Sequence, residues 1–466
     1  MQIWIQWLSV FFLLTESIIG YAKVDAGPSQ VDLIPKGFSV RFHPDGSLQV
    51  GDFISLDIYA PPGLDLKNKT IEVDLVKPEQ KKLGSASFTF DSSGVYHTVL
   101  LWFWDTHGLS PGSYVLSFAI QPSAETWQET VQLQNDPAII GKEGQWATAE
   151  NKCCEVHYIT GTDAERDLPS ILNIIDQQAS LVENQWGVTP AKKLQINLIP
   201  RVLGNGGFTT DEISVTYLTH NYANGYFPII IHHELVHLLD HTQPGKIRPT
   251  ILIEGVAVYL SDGHYKSEPL LLRAATLINS GLYIPITNLT DNFYDQQHET
   301  GYLEAGALVE YLVQTYGWQK FLDFYHDINP IQNGSQSQML NAALQSHFDI
   351  NLEQLDDRFT NTLAKIPITP DMREDVRLTI LLYDTMRDYQ QQYDTSAYFQ
   401  RVWIPSPVQM RQRGIVADYL RHPGQNENQM IENLLISAGA SLQIGDYQLT
   451  QKIIGIIQSL LFHPQT

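Results

Sequence analysis

His233-Glu234-Leu235-Val236-His237 sets two histidines four residues apart with a glutamate directly after the first. Residues at that spacing lie one above the other on a helix, so both imidazoles can ligate a single metal ion. Glu234 points about 100° round the same surface, where a carboxylate reaches a water beside the metal without joining the ligand stack. The flanks Ile229-Ile230-Ile231 and Leu238-Leu239 mark the helix as buried, and buried imidazoles and carboxylates require partners. Glu254 follows, with sixteen residues between it and His237, in Leu252-Ile253-Glu254-Gly255-Val256-Ala257-Val258-Tyr259-Leu260, which carries no other charge. A carboxylate there is costly unless a cation neutralises it. His233, His237 and Glu254 with an open fourth position are a catalytic set for one Zn2+ per chain, whereas a closed set of four would be structural.

His241 lies four residues past His237 but lacks the spacing of a third histidine ligand, and is read as a cleft-lining or surface residue. His232 points away from His233 on the helix. Asp240 has two readings: an acceptor behind a ligand histidine, or a solvated charge at the helix end.

His233-Glu234-x-x-His237 followed by Glu254-Gly255-x-Ala257-x-Tyr259 resembles the gluzincin branch of the zincin metallopeptidases (clan MA), and is most similar to the bacterial peptidase MA-like group. Ile199-Pro200-Arg201-Val202-Leu203-Gly204-Asn205-Gly206-Gly207-Phe208 upstream and Tyr302-Leu303-Glu304-Ala305-Gly306-Ala307-Leu308-Val309 downstream fit the same group, over roughly residues 150–365. The resemblance implies that Glu234 is the general base and that a tyrosine or histidine stabilises the oxyanion. Tyr302 is the candidate, the other reading being an aromatic packed at a helix start. It also implies an edge strand that binds the substrate backbone, at Gly206, Gly207 and Phe208; those glycines serve equally well in a tight turn. Two departures stand out. Val258 replaces the aspartate that braces a ligand histidine in thermolysin-like enzymes, and the Gly-x-Met-Glu-Asn exopeptidase motif is missing, so cleavage position stays open.

Around this centre the pattern divides. From Ser29 to Gln134, seven short alternating runs separated by Gly, Pro and Asp turns predict an immunoglobulin-like β-sandwich. The runs are 38–42, 53–59, 71–76, 88–90, 96–104, 114–120 and 130–133. A polar linker from Asn135 to Asn151 leads to strands at 156–160 and 194–199 around a helix from Ala164 to Trp186. Helices follow at 228–241, 249–261, 266–280, 300–316, 318–327 and 352–365. After Pro367, helices at 371–393, from Pro407, at 432–438 and at 447–461 form a helical region that caps the catalytic part or binds a partner. The fold class is therefore multidomain: an all-β immunoglobulin-like sandwich (29–135), an α+β zincin-type catalytic domain (150–365) and a C-terminal α-helical region (369–466).

The 466 residues carry 51 acidic and 29 basic groups, a net charge of −22, which excludes general affinity for nucleic acid or anionic lipid. Hydrophobic content of 43% is enough for sizeable cores. Residues 1–22, with an apolar run to Leu14 and Gly20-Tyr21-Ala22 after it, read as a signal peptide of a secreted or extracytoplasmic protein; an uncleaved membrane anchor is the alternative. No membrane insertion is expected after cleavage. Cys153 and Cys154 are adjacent, cannot staple a fold, and are expected to pack as small apolar residues. The resulting expectation is a secreted zinc metallopeptidase acting on a peptide or protein. Its rivals are a non-catalytic surface-binding protein with a relic zincin domain, and a zinc amidase acting on cell-wall peptide. Oligomeric state and natural substrate are open.

Overall fold

A computed structural model of the chain describes residues 37–462 apart from 91–93, 124, 136–143, 201–205, 244, 246–247, 400–402, 404 and 422–425. The expected signal peptide (1–22) lies outside the described residues. The N-terminal part contains strands β1 (Ser39–His43), β2 (Phe53–Tyr59), β3 (Thr70–Lys77), β4 (Lys81–Ser87), β5 (Thr89–Phe90), β6 (Tyr96–Asp105), β7 (Gly112–Gln121) and β8 (Thr126–Leu133). They form two four-stranded sheets in the orders β1-β2-β6-β5 and β4-β3-β7-β8. Along β3, Ile71, Val73 and Leu75 are buried while Thr70, Glu72 and Asp74 are half-exposed, the alternation that places one face of a sheet on a core. Ile54, Leu56 and Ile58 of one sheet meet Val73, Leu116 and Phe118 of the other in a single core. Among the described residues, eight strands stand where seven were expected. The missed one, β4, reads Lys-Lys-Leu-Gly-Ser-Ala-Ser and is largely exposed, because an edge strand needs charge rather than apolar alternation.

The middle of the chain holds β9 (Trp146–Glu150), β10 (Cys154–Ile159), α1 (Asp163–Arg166), α2 (Leu168–Trp186), β11 (Leu194–Ile199), β12 (Gly207–Thr209) and β13 (Ile213–Thr216). The sheet order is β12-β13-β11-β10-β9. β10, β11 and β13 are parallel, and the outer strands β9 and β12 run antiparallel to their neighbours. β9 falls where a linker was expected; it reads Trp-Ala-Thr-Ala-Glu and exposes Thr148 and Glu150, as an edge strand that shows one side to water does. At the start of β10, Cys153 and Cys154 are joined by a disulfide, which corrects the expectation of two packed thiols. The bond links neighbours and closes no chain loop, while Cys154 is still fully buried in the core.

Helices α3 (Phe227–Asp240), α4 (Thr250–Leu260), α5 (Leu270–Asn279), α6 (Ile286–Asp291), α7 (His298–Tyr316), α8 (Trp318–His326), α9 (Gln336–Phe348) and α10 (Leu352–Leu363) follow, with a 3-10 turn at Phe293–Asp295. Val156, Ile196 and Val215 of the sheet, Ile175 and Val182 of α2, and Ile231 and Leu235 of α3 belong to one core that continues through α4 and α7. That core fixes α3 against the sheet.

The C-terminal region comprises α11 (Pro370–Tyr393), α12 (Pro407–Arg413), α13 (Ala417–Leu420), α14 (Asn426–Gln443) and α15 (Tyr447–Phe462). Leu378, Tyr383 and Tyr389 of α11, Leu435 of α14 and Ile454 of α15 share a core with Tyr222, which precedes α3, and Tyr265, which follows α4. Met410, Ile415, Val416 and Tyr419 pack with Ile159 and Ile199 of the sheet, and with Phe208. The region is docked onto the middle of the chain through both clusters. Among the described residues, no helix is long and apolar enough to cross a membrane.

Candidate metal centre

α3 begins with Pro228 in its first turn, where a missing N–H costs nothing, and is buried along most of its length. α4 packs beside it, and α7 crosses α4 closely. A Cβ on Gly255 would lie 2.5 Å from the carbonyl oxygen of Ala305, and one on Gly306 would lie 2.5 Å from Val258 Cγ1. Two glycines thus let α4 sit deep between α3 and α7, which carries Glu254 up to the two histidines.

The donor atoms converge. His237 Nε2 stands 2.9 Å from His233 Nε2, and Glu254 Oε2 stands 3.3 Å from each of them. All three residues are at most one-seventh exposed at the side chain. Donors held at zinc bond lengths of about 2.1 Å on a tetrahedron stand about 3.4 Å apart; the two spacings to Glu254 already match this, and the two histidine nitrogens, at 2.9 Å, need only part by a few tenths of an ångström. Two buried imidazole nitrogens facing one another need a shared proton or a shared cation, and a carboxylate beside them favours the cation. Burial pushes His233 down to about 4. Burial also opposes charge on His237, but Glu254, Glu234 and Asp240 outweigh it and hold that group up at about 9. Burial works against the charge of Glu254 as well, yet His237 and His233 hold its carboxyl well below the usual range. The protein environment therefore supports one positive charge at the point where the donors meet.

Glu234 lies on the flank of this cluster, 5% exposed. Burial raises its carboxyl to about 7 against the opposing pull of His237 and of a hydrogen bond from Thr209. The Thr209 hydroxyl donates to Glu234 Oε2 at 2.8 Å. Thr209 and Gly207 belong to β12, the end strand of the sheet. Thr216 donates its N–H to Gly206 O and Thr210 donates its N–H to Glu212 O, so even-numbered residues make the bonded pairs of this hairpin. The N–H and C=O of Gly207 and Thr209 accordingly turn away from β13 to the outer edge. Phe208 points to the opposite face and packs with the Met410–Tyr419 cluster. Of the three residues read as an edge strand, Gly207 and Phe208 lie in it and Gly206 directly precedes it.

Tyr302 does not approach Glu254 or Glu234 by any hydrogen bond seen among the described residues. Its ring stacks on His264 at 3.9 Å and 6°, and stands 6.2 Å from the ring of His233. The tyrosine that reaches the cluster is Tyr294, whose hydroxyl donates to Glu254 Oε1 at 2.7 Å from the 3-10 turn before α7. Sequence reasoning missed it because Asn292-Phe293-Tyr294-Asp295 has no periodicity and lies between helices.

The remaining histidines and acids are placed as follows. His241 is an exposed residue at the end of α3, and His232 bridges Gln178 and Gln185 of α2. Asp240 is buried, accepts from Tyr325 and Arg248, and makes no bond to a ligand histidine; the reading of a solvated helix-end charge is corrected. Val258 packs against α7, and Nδ1 of His233 has no hydrogen-bond partner among the described residues.

No family model matches the chain, and no curated protein matches it in sequence. Among solved structures it is similar to an M1 zinc metallopeptidase from Deinococcus radiodurans, at 12% identity and TM-score 0.33, covering 73% of this chain and 97% of that one. An aminopeptidase N family protein from Idiomarina loihiensis matches at 11% identity and TM-score 0.30, covering 72% and 78%. IMPa from Pseudomonas aeruginosa, solved in complex with an O-glycopeptide, matches at 11% identity and TM-score 0.22, covering 84% and 52%. Overlaps this loose carry no argument about activity.

Proposed function

We propose that this chain is a secreted zinc-dependent peptidase of gluzincin type that hydrolyses peptide bonds in a peptide or protein substrate. The observation that carries the reading is the meeting of His233 Nε2, His237 Nε2 and Glu254 Oε2 within 3.3 Å of one another, with Glu234 beside them on the same helix. The apolar segment before residue 22 supports export.

His233, His237 and Glu254 would hold the ion. Zinc in this position supplies a Lewis acid for a carbonyl and lowers the pKa of a water. A peptide laid along β12 bonds to the outward main-chain groups of Gly207 and Thr209, which orients its scissile carbonyl beside Glu234. Glu234 takes a proton from the attacking water as the new C–O bond forms. It then gives that proton to the amine as the C–N bond breaks. Thr209 fixes the carboxylate of Glu234 for both transfers, and Tyr294 occupies Glu254 Oε1 so that Oε2 faces the histidines.

Elemental analysis tests the reading. One zinc per wild-type chain, lost in His233→Ala and His237→Ala, together with a Glu234→Gln variant that keeps zinc and loses hydrolysis, is the expected pattern. A folded wild type that takes up no zinc would sink it.

A further inference from the structure

Arg411 lies on α12, 199 residues after the hairpin glutamate that it touches. Its guanidinium donates from Nη1 and Nη2 to the two carboxylate oxygens of Glu212, each at 3.0 Å. Nη1 also donates to Asn197 Oδ1. Glu212 is in the turn between β12 and β13, next to Ile213, the first residue of β13. Asn197, fully buried on β11, donates to Glu212 Oε2 at 2.9 Å and to Ile213 O at 3.1 Å. The three side chains lock the hairpin turn to the sheet from beneath. On the same side, Phe208 is packed by Met410, Ile415 and Tyr419, and Trp146 Nε1 donates to Ile415 O at 2.7 Å.

β12 is three residues long and is paired on one side. So short an edge strand has little intrinsic stability, and its position is set by what grips its turn and its far face. The C-terminal region contributes to both grips, through Arg411 at the turn, where Asn197 of β11 also holds Glu212, and through Met410, Ile415 and Tyr419 at the far face. The hairpin in turn supplies the two groups that meet Glu234, namely the hydroxyl of Thr209 and the bare α-carbon of Gly207. The three metal-site residues are on α3 and α4, away from this chain of contacts.

We infer that Arg411 is a positioning residue: through Glu212 it sets strand β12, and with it Thr209, Gly207 and the substrate's main chain, against Glu234. This rests on the peptidase reading above. An arginine fork on a carboxylate fixes direction as well as distance, which a lysine point charge does not. Loss of the fork frees the turn, lets Thr209 leave Glu234, and leaves zinc binding untouched.

The test uses the full chain as wild type, as Arg411→Ala, and as the charge swap Glu212→Arg with Arg411→Glu. Zinc content, hydrogen–deuterium exchange over residues 206–216, and kcat and KM on fluorescein-labelled casein are measured for each. Arg411→Ala is expected to keep one zinc, to exchange faster over 206–216, and to lose roughly 10- to 100-fold in kcat/KM, with kcat carrying most of it. The swap recovers both quantities, which general destabilisation would not do. Should Arg411→Ala fail to fold, Arg411→Lys makes the same comparison. Wild-type exchange in Arg411→Ala, or a swap no better than the single variant, overturns the proposal. If exchange answers to Arg411 while folded wild type takes up no zinc, the brace stands and the peptidase reading is what fails.

Discussion

The α-carbon of Gly207 packs directly on the carboxylate of Glu234: a Cβ at residue 207 would stand 2.8 Å from both Cγ and Oε1 of that side chain. The obstructed atoms are the far end of a flexible side chain, so the glutamate can yield. Gly207→Ala is therefore expected to change Tm little, by less than about 1 kcal/mol in stability. Under the proposed peptidase function, turnover should fall about a hundredfold with zinc retained, because a shift near 1 Å of a proton-transferring group costs that much. Unchanged kcat in a zinc-loaded Gly207→Ala would separate β12 from the chemistry.

Gly255 presents the opposite case. A Cβ there would meet the main-chain carbonyl of Ala305 at 2.5 Å, and backbone inside two packed helices cannot move aside. Gly255→Ala should cost about 1–3 kcal/mol in denaturant unfolding. It should also weaken zinc, since Glu254 is the adjacent residue. A variant as stable as wild type would show that α4 and α7 are not in this close contact.

Tyr294→Phe removes the hydrogen bond to Glu254 Oε1 and leaves the ring in place. Losing such a partner of a ligating carboxylate typically weakens metal by 10- to 100-fold. Competition with a chelator measures this, and Tyr302→Phe, whose ring stacks on His264, is the control expected to bind zinc as wild type does. Equal affinities in all three proteins would remove Tyr294 from the site.

Glu304 gives a pH dependence away from the metal. It is 2% exposed on α7, and burial pushes its carboxyl well above the ordinary range although it accepts the Ile284 N–H at 3.0 Å. A raised acid costs nothing below the unfolded-state pKa, where both states are protonated. Above that point the unfolded chain ionises first, so the stability of wild type falls as pH rises towards the folded-state value. Glu304→Gln should match wild type near pH 4 and exceed it at pH 7.5, by about 1.4 kcal/mol for every tenfold by which burial weakens the acid. Thermal melts at the two pH values check this. A variant less stable at pH 7.5 would refute it.

What could be read from residues alone was local in the chain. His233 and His237 share a helix face because 3.6 residues make a turn, whatever lies around them. Glu254 stood out as a charge in an apolar segment, since burying it without a partner is costly. The alternation of β3 and the apolar core of α3 likewise come from periodicity, which the chain carries in itself. β4 was missed because an edge strand can be polar and then lacks that period, and β9 because its inward residues are alanines, too small to mark an apolar face.

The rest is a matter of distance in space between residues far apart in sequence. Nothing near Gly207 says that its hydrogen faces Glu234; that follows from the pairing of β12 on β13 and the packing of α3 behind it. Tyr294 reaches Glu254 only because a 3-10 turn folds over α4, and Arg411 reaches Glu212 only because the C-terminal helices return to the sheet. Helical spacing fixed who could be a ligand. Tertiary packing decided which carboxylate, hydroxyl and strand stand around those ligands, since contacts of that kind depend on loop closure and shared cores rather than on any period in the sequence.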